Sequence, residues 1–153
     1  MEALLSQKPK FPSMFMKRHV LSMREFSREE IDSVLDLAAS LEPYARGKKS
    51  DMMAGRILAL LFFEPSTRTR MSFETAMKRL GGSVINLGPA DGSSISKGES
   101  LADTVRVMGS YADALNIRHP NDGSARLAPK PFSKSFPSLP QQIRIYASSS
   151  RYS

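Results

Sequence analysis

The sequence contains no cysteine, so neither a disulfide framework nor a thiolate metal site can form. It also lacks any apolar run approaching the ~20 residues that a membrane-crossing helix requires. The longest candidate, Ile57 to Phe63, has the length of a buried strand. Lys8, Lys10 and Lys17 are followed by no apolar stretch of signal-peptide length, which argues against export and for a soluble cytoplasmic protein. Acidic residues are scarce at one end only. From Pro129 onward there are four basic residues and no acidic one, whereas the rest of the chain carries 18 basic and 15 acidic residues. The net charge of +7 therefore does not describe a basic nucleic-acid-binding face, and no nucleic-acid partner is expected.

The composition is that of an ordinary globular protein, with 41% hydrophobic and 24% charged residues. At 153 residues, one modest core is the expectation, and two full domains would not fit. Residues 1–18 mix Pro, Lys and Met without a period and read as a loose leader. Ser27-Arg28-Glu29-Glu30 has capping-box spacing and opens a helix. Ile31, Val34, Leu35, Ala38 and Leu41 give that helix an apolar packing stripe, and Pro43 and Gly47 are expected to end it.

Arg56 to Phe63 then reads as a strand covered on both faces. A short loop, Glu64 to Ser66, leads into a helix from Thr67 to Leu80, with Met71, Phe73, Ala76, Met77 and Leu80 at helical spacing and Gly81-Gly82 as its stop. The pattern repeats with a strand at Ser83–Leu87, a Gly/Ser loop at 88–98 and a helix at Leu101–Tyr111. A third strand follows at Ala114–Arg118, where Asn116 is a poor strand former. Alternating strands and helices imply right-handed crossovers and a parallel sheet between two helical layers, an α/β three-layer sandwich. Ligands bind such sheets beyond the carboxyl ends of the strands.

After Ala128 the character changes. Residues 129–153 hold seven Ser and four Pro with no steady period, and read as a separate, disordered tail. One expectation is a shift of reading frame past Ala128, because the expected sheet stops after three strands. That would leave a bare sheet edge, for which Phe132, Phe136, Leu139, Ile143, Ile145 and Tyr146 offer the available cover.

The chemistry concentrates at Glu64-Pro65-Ser66-Thr67-Arg68-Thr69-Arg70, where the buried strand turns into a helix. A helix start presents unpaired N–H groups and the positive end of the macrodipole, which suits a phosphate. Ser66, Thr67 and Thr69 add hydroxyls, and Arg68 adds a planar fork for two phosphate oxygens. A generic Ser-Thr-Arg string usually does no more than cap a helix. Here the twelve residues Phe63 to Glu74, with Leu80-Gly81-Gly82 behind them, resemble the phosphate-binding signature of the aspartate/ornithine carbamoyltransferase family. Ser93 to Thr104, with Lys97 in it, and Arg118-His119-Pro120 followed by Gly123 to Ala128 are similar to the aspartate branch and disfavour the ornithine branch. The resemblance runs from about His19 to Ala128.

The resemblance implies a carbamoyl-phosphate-binding domain, covering residues 19–128 and incomplete at its end. Ser66, Thr67, Arg68 and Thr69 would hold the phosphate, while Thr69 and Arg118 would polarise the carbonyl. Ser93 and Lys97 would reach the site of a neighbouring subunit in a homotrimer, joined by regulatory chains where the source encodes them. Complete relatives would join carbamoyl phosphate and L-aspartate to give N-carbamoyl-L-aspartate and phosphate in pyrimidine synthesis, without cofactor, metal or covalent intermediate. His119 is assigned a structural role rather than that of a base. The family's His-Pro-Thr-Gln motif does not occur in these 153 residues. Nor does the second domain, which brings the aspartate-binding arginines, so the chain alone is expected to be inactive and truncated relative to the family.

Overall fold

The structure is a computed structural model that describes residues 19–87, 98–121, 123–127 and 144–149. After a single 3-10 turn at Met23–Glu25, the first helix, α1, spans Arg28–Ala45. Its start is a complete capping box: Glu30 N–H donates to Ser27 Oγ at 3.2 Å, and Ser27 N–H donates to Glu30 Oε2 at 2.9 Å. The helix runs through Pro43 instead of ending there. Only Tyr44 and Ala45 follow the proline, so the missing N–H removes one bond from a turn that is ending anyway. The packing face also differs from the expected stripe. Tyr44 is buried and Ile31, Leu37 and Leu41 are half-buried, whereas Val34, Leu35 and Ala38 face solvent.

Strand β1 (Ile57–Phe62) occupies the centre of a parallel sheet of order β2-β1-β3-β4. Ala59, Leu60 and Leu61 are completely buried, as expected of an apolar run covered on both sides. Alternate β1 residues serve opposite layers. Ala59 and Leu61 pack with Val105, Leu115 and Ile117 under helix α3 (Leu101–Tyr111). Leu58, Leu60 and Phe62 pack with Met77 of helix α2 (Thr67–Arg79). These are the three layers of the sandwich. Helix α2 covers its side thinly, since none of its residues is buried and Met71 and Phe73 remain exposed.

Helix α2 ends in a Schellman motif: Gly82 N–H donates to Met77 O and Gly81 N–H to Lys78 O, both at 3.0 Å. Strand β2 (Ser83–Leu87) then pairs with β1, and strand β3 (Ala114–His119) pairs on the other side of β1. At the amino end, Asp113 holds β1 and β3 together by accepting from Ile57 N–H at 2.9 Å and from Arg56 Nη1 at 2.7 Å. A short helix, α4 (Ser124–Leu127), follows β3.

The largest departure from the sequence reading lies in the tail. Arg144–Ser149, expected to be disordered, forms strand β4 and pairs with β3 in parallel over six positions, from Ala114↔Arg144 to His119↔Ser149. The backbone explains this. Without β4 the outer N–H and C=O groups of β3 would have no strand partner, and Ile145-Tyr146 has good strand propensity inside a segment whose Ser and Pro content conceals it. Among the described residues the sheet therefore has four strands, one more than expected. Among the described residues no helix is long and apolar enough to cross a membrane.

Two consequences can be measured. Gly81 has φ +86°, and a Cβ there would lie 2.5 Å from the Ser50 carbonyl oxygen. Gly81→Ala should therefore destabilise the fold by about 1–3 kcal/mol in urea unfolding. A midpoint equal to that of the parent would contradict the close approach. Removing residues 129–153 should raise light scattering at equal protein concentration, because the outer edge of β3 is then bare. Equal scattering would mean that β4 does not guard that edge.

Candidate anion-binding site

The carboxyl ends of β1 and β3 lie side by side, with Phe62 in register with Arg118 and Phe63 N–H donating to Arg118 O at 2.9 Å. Beyond this point β1 passes through Glu64 and Pro65 into helix α2. Ser66 is the residue before the helix, yet its side chain caps nothing. Ser27 and Ser100 behave differently, each accepting from an N–H three residues ahead, at Glu30 and Asp103. The first bond that closes α2 is from Arg70 N–H to Ser66 O at 3.2 Å. The N–H groups of Thr67, Arg68 and Thr69 therefore have no partner among the described residues, and they stand at the positive end of the helix dipole.

The Ser66 hydroxyl is instead engaged by Arg118. That side chain donates from Nε to Glu64 Oε1 at 2.5 Å, and from Nη1 to Ser66 Oγ at 2.8 Å and Thr69 Oγ1 at 3.4 Å. The Arg118 and Glu64 side chains are only 21% and 17% exposed, so their attraction is little screened by water. Arg118 Nη2 keeps its two donors without a partner among the described residues. Arg68 is exposed and forms no ion pair among the described residues.

Arg70 is committed elsewhere. It lies 3.5 Å from Glu74 Oε2, and Lys78 donates to the other Glu74 oxygen at 2.7 Å. The hydrogen bond from Lys78 is the main reason the Glu74 carboxyl is held below its usual range. Arg70 thus belongs to a surface network along α2 and Arg68 does not. Of the residues singled out from the sequence, the structure brings Ser66, Thr67, Arg68, Thr69 and Arg118 to one mouth. Ser93 and Lys97 lie outside the described residues.

One participant was missed from sequence. Glu64 read as part of a turn, but its carboxylate anchors the arginine that crosses from β3. Its signal was an acid placed at the end of a buried strand and, after Pro65, followed by five hydroxyl or guanidinium residues. Among the described residues, no group of three His, Asp or Glu side chains is placed to hold a metal ion. The arrangement can receive an anion through backbone amides, two threonine hydroxyls and two guanidinium groups, with a single nearby carboxylate already paired.

The chain matches, over residues 18–136, the family described as aspartate/ornithine carbamoyltransferase, carbamoyl-P binding domain. It belongs to that family. Among curated relatives, the aspartate carbamoyltransferase catalytic subunit of Methanothrix thermoacetophila is 75% identical over 115 residues, covering 75% of this chain and 38% of the relative. The corresponding subunit of Methanosarcina mazei is 60% identical over 116 residues, again 38% of its length. The chain thus spans well under half of the relatives it matches.

Among solved structures, aspartate transcarbamoylase from Trypanosoma cruzi in complex with carbamoyl phosphate aligns with a TM-score of 0.80 at 34% identity. The alignment covers 95% of this chain and 44% of that one. The catalytic subunit of M. jannaschii aspartate transcarbamoylase aligns with a TM-score of 0.73 at 46% identity, covering 86% and 40%. Strand β4 lies beyond the residues matched to the family, which end at 136.

The two-sided grip of Arg118 can be tested without any ligand. Arg118→Ala should lower stability by about 1–3 kcal/mol, the range for hydrogen bonds to a charged group. Arg118→Lys should recover only part of that loss, because an ammonium cannot hold Glu64 and Ser66 with the same planar fork. Urea unfolding of a lysine variant equal to the parent would refute the two-sided contact.

Proposed function

We propose that this chain binds carbamoyl phosphate at the start of α2 and represents the carbamoyl-phosphate half of an aspartate carbamoyltransferase. The observation that carries the reading is the set of open donors: three backbone N–H groups, the Thr67 hydroxyl and the Arg68 guanidinium, none of them partnered among the described residues. A dianionic phosphate satisfies all of them together, which a neutral ligand would not. Thr69 and Arg118, joined by a 3.4 Å contact, would lie against the carbonyl oxygen and stabilise the negative charge that grows there when an amine attacks.

The aspartate branch is supported by Lys97 and by Arg118-His119-Pro120, and the reported relatives carry that name. Ser93 and Lys97 would complete the pocket of a neighbouring copy, which makes a trimer the natural assembly, with regulatory chains where they exist. A cytoplasmic setting follows from the same reading. The groups that would bind the aspartate carboxylates are not among these 153 residues. Positioning of the nucleophile supplies several kcal/mol of rate acceleration, so no turnover is expected from the chain by itself. A non-catalytic, phosphate-binding role is the second reading, favoured by the 38% coverage of the curated relatives.

Isothermal titration with phosphonoacetate tests the pocket. The parent chain should bind, and Arg68→Ala should weaken binding about 10- to 100-fold, the equivalent of losing ~1.5–3 kcal/mol of charge-assisted hydrogen bonding. Unchanged affinity would remove Arg68 from the site. Formation of carbamoyl aspartate by the chain alone would overturn the view that the amine-binding groups lie elsewhere.

A further inference from the structure

We infer that His119 is a positioning residue for the anion site, acting through the strand ends that carry Arg118 and Glu64; the inference rests on the reading of the site given above. The last backbone bond between these strand ends runs from Phe63 N–H to Arg118 O. One residue further along both strands, the Phe63 and His119 rings meet with centroids 5.1 Å apart and planes inclined at 52°. This ring contact extends the pairing of β1 and β3 to the point where each chain leaves the sheet. On one side the chain continues to Glu64 and the open helix, and on the other it turns at Pro120. The ring pair therefore spaces the segments between which the Arg118 guanidinium stretches.

The imidazole is fixed from its far side as well. Asn121 N–H donates to His119 Nδ1 at 3.0 Å, and Ser124 Oγ lies 3.0 Å from the same nitrogen and 2.7 Å from Asn121 O. A backbone N–H can only donate, so the hydrogen-bond pattern assigns Nδ1 as an acceptor and places the ring proton on Nε2. Ser124 is buried, and its one hydroxyl proton serves either Nδ1 or Asn121 O, the oxygen standing within reach of both. The β3 exit is thus pinned by aromatic contact toward β1 and by a nitrogen acceptor toward α4. An asparagine side chain can reproduce the acceptor, and a phenylalanine can reproduce the ring, so the two contributions are separable.

The 153-residue chain is titrated with phosphonoacetate as parent, Arg68→Ala, His119→Phe, His119→Asn and Ser124→Ala, with urea unfolding of each. His119→Phe keeps the ring but loses the acceptor, and its affinity should fall about tenfold, within the range for small displacements of a binding group. His119→Asn, which restores an acceptor but not the ring, should regain part of that loss, and Ser124→Ala should show a smaller loss of the same kind if His119→Phe does not fold. Parent-like affinity in His119→Phe, or no recovery in His119→Asn, overturns the inference. Parent-like affinity in Ser124→Ala does so where His119→Phe fails to fold. Loss of binding in Arg68→Ala alongside those results leaves the site reading intact, whereas a parent chain that does not bind phosphonoacetate overturns both.

Discussion

The parallel pairing of β1 with β3 is the constraint on which the rest of this structure depends. β1 is central, bonded on both edges and covered on both faces, and β3 brings the Arg118 side chain back across its end. Side chains fasten the pair at both extremities. Asp113 ties the amino ends through Ile57 and Arg56, and Arg118 ties the carboxyl ends through Glu64 and Ser66. Between these points the core is apolar except for Asn116, whose Oδ1 is buried without a partner among the described residues. Such an atom is unfavourable by roughly 1–3 kcal/mol, and the surrounding packing offsets that penalty.

The electrostatics of the helix mouth follow from the same pairing. A serine before a helix normally satisfies one of the leading amides, as Ser27 and Ser100 do. The Ser66 hydroxyl accepts from Arg118 and caps none of them, so the amide a cap would have satisfied stays open alongside the others at this helix start. The helix forgoes a cap worth about 1 kcal/mol and gains an unfilled concentration of donors. Glu64 balances one of the two guanidinium groups without contributing a second free carboxylate. The net effect is an excess of positive charge at the helix start, in a protein whose described surface otherwise pairs many of its charges along helices.

Much of this was legible from residues alone. The order of strands and helices, the Ser27 capping box, the Gly81-Gly82 stop and the helix start at Ser66 to Thr69 are consequences of local chemistry, which is written in sequence, whereas the grouping of Arg118 with them came from the family resemblance. Three features were not. Glu64 was overlooked because an acid in a turn is ordinary until an arginine from a strand 54 positions away is placed beside it. The exposed side of α1 was misjudged because Val34 and Leu35 satisfy helical spacing, yet the helix turns Tyr44 into the protein and leaves Leu37 half-buried instead. Strand β4 was hidden because composition reports average tendency, whereas an unpaired sheet edge selects on backbone geometry.

That last feature has a broader implication. The ladder joining β4 to β3 is made of amides and carbonyls, which every residue other than proline carries in full. The Arg144–Ser149 segment contains no proline and lies past the region that the family shares, and it still occupies six consecutive positions of the sheet. A parallel edge of this kind is undemanding about the identity of what completes it. A segment outside the residues matched to the family can therefore complete the ladder beside the very strand that carries Arg118.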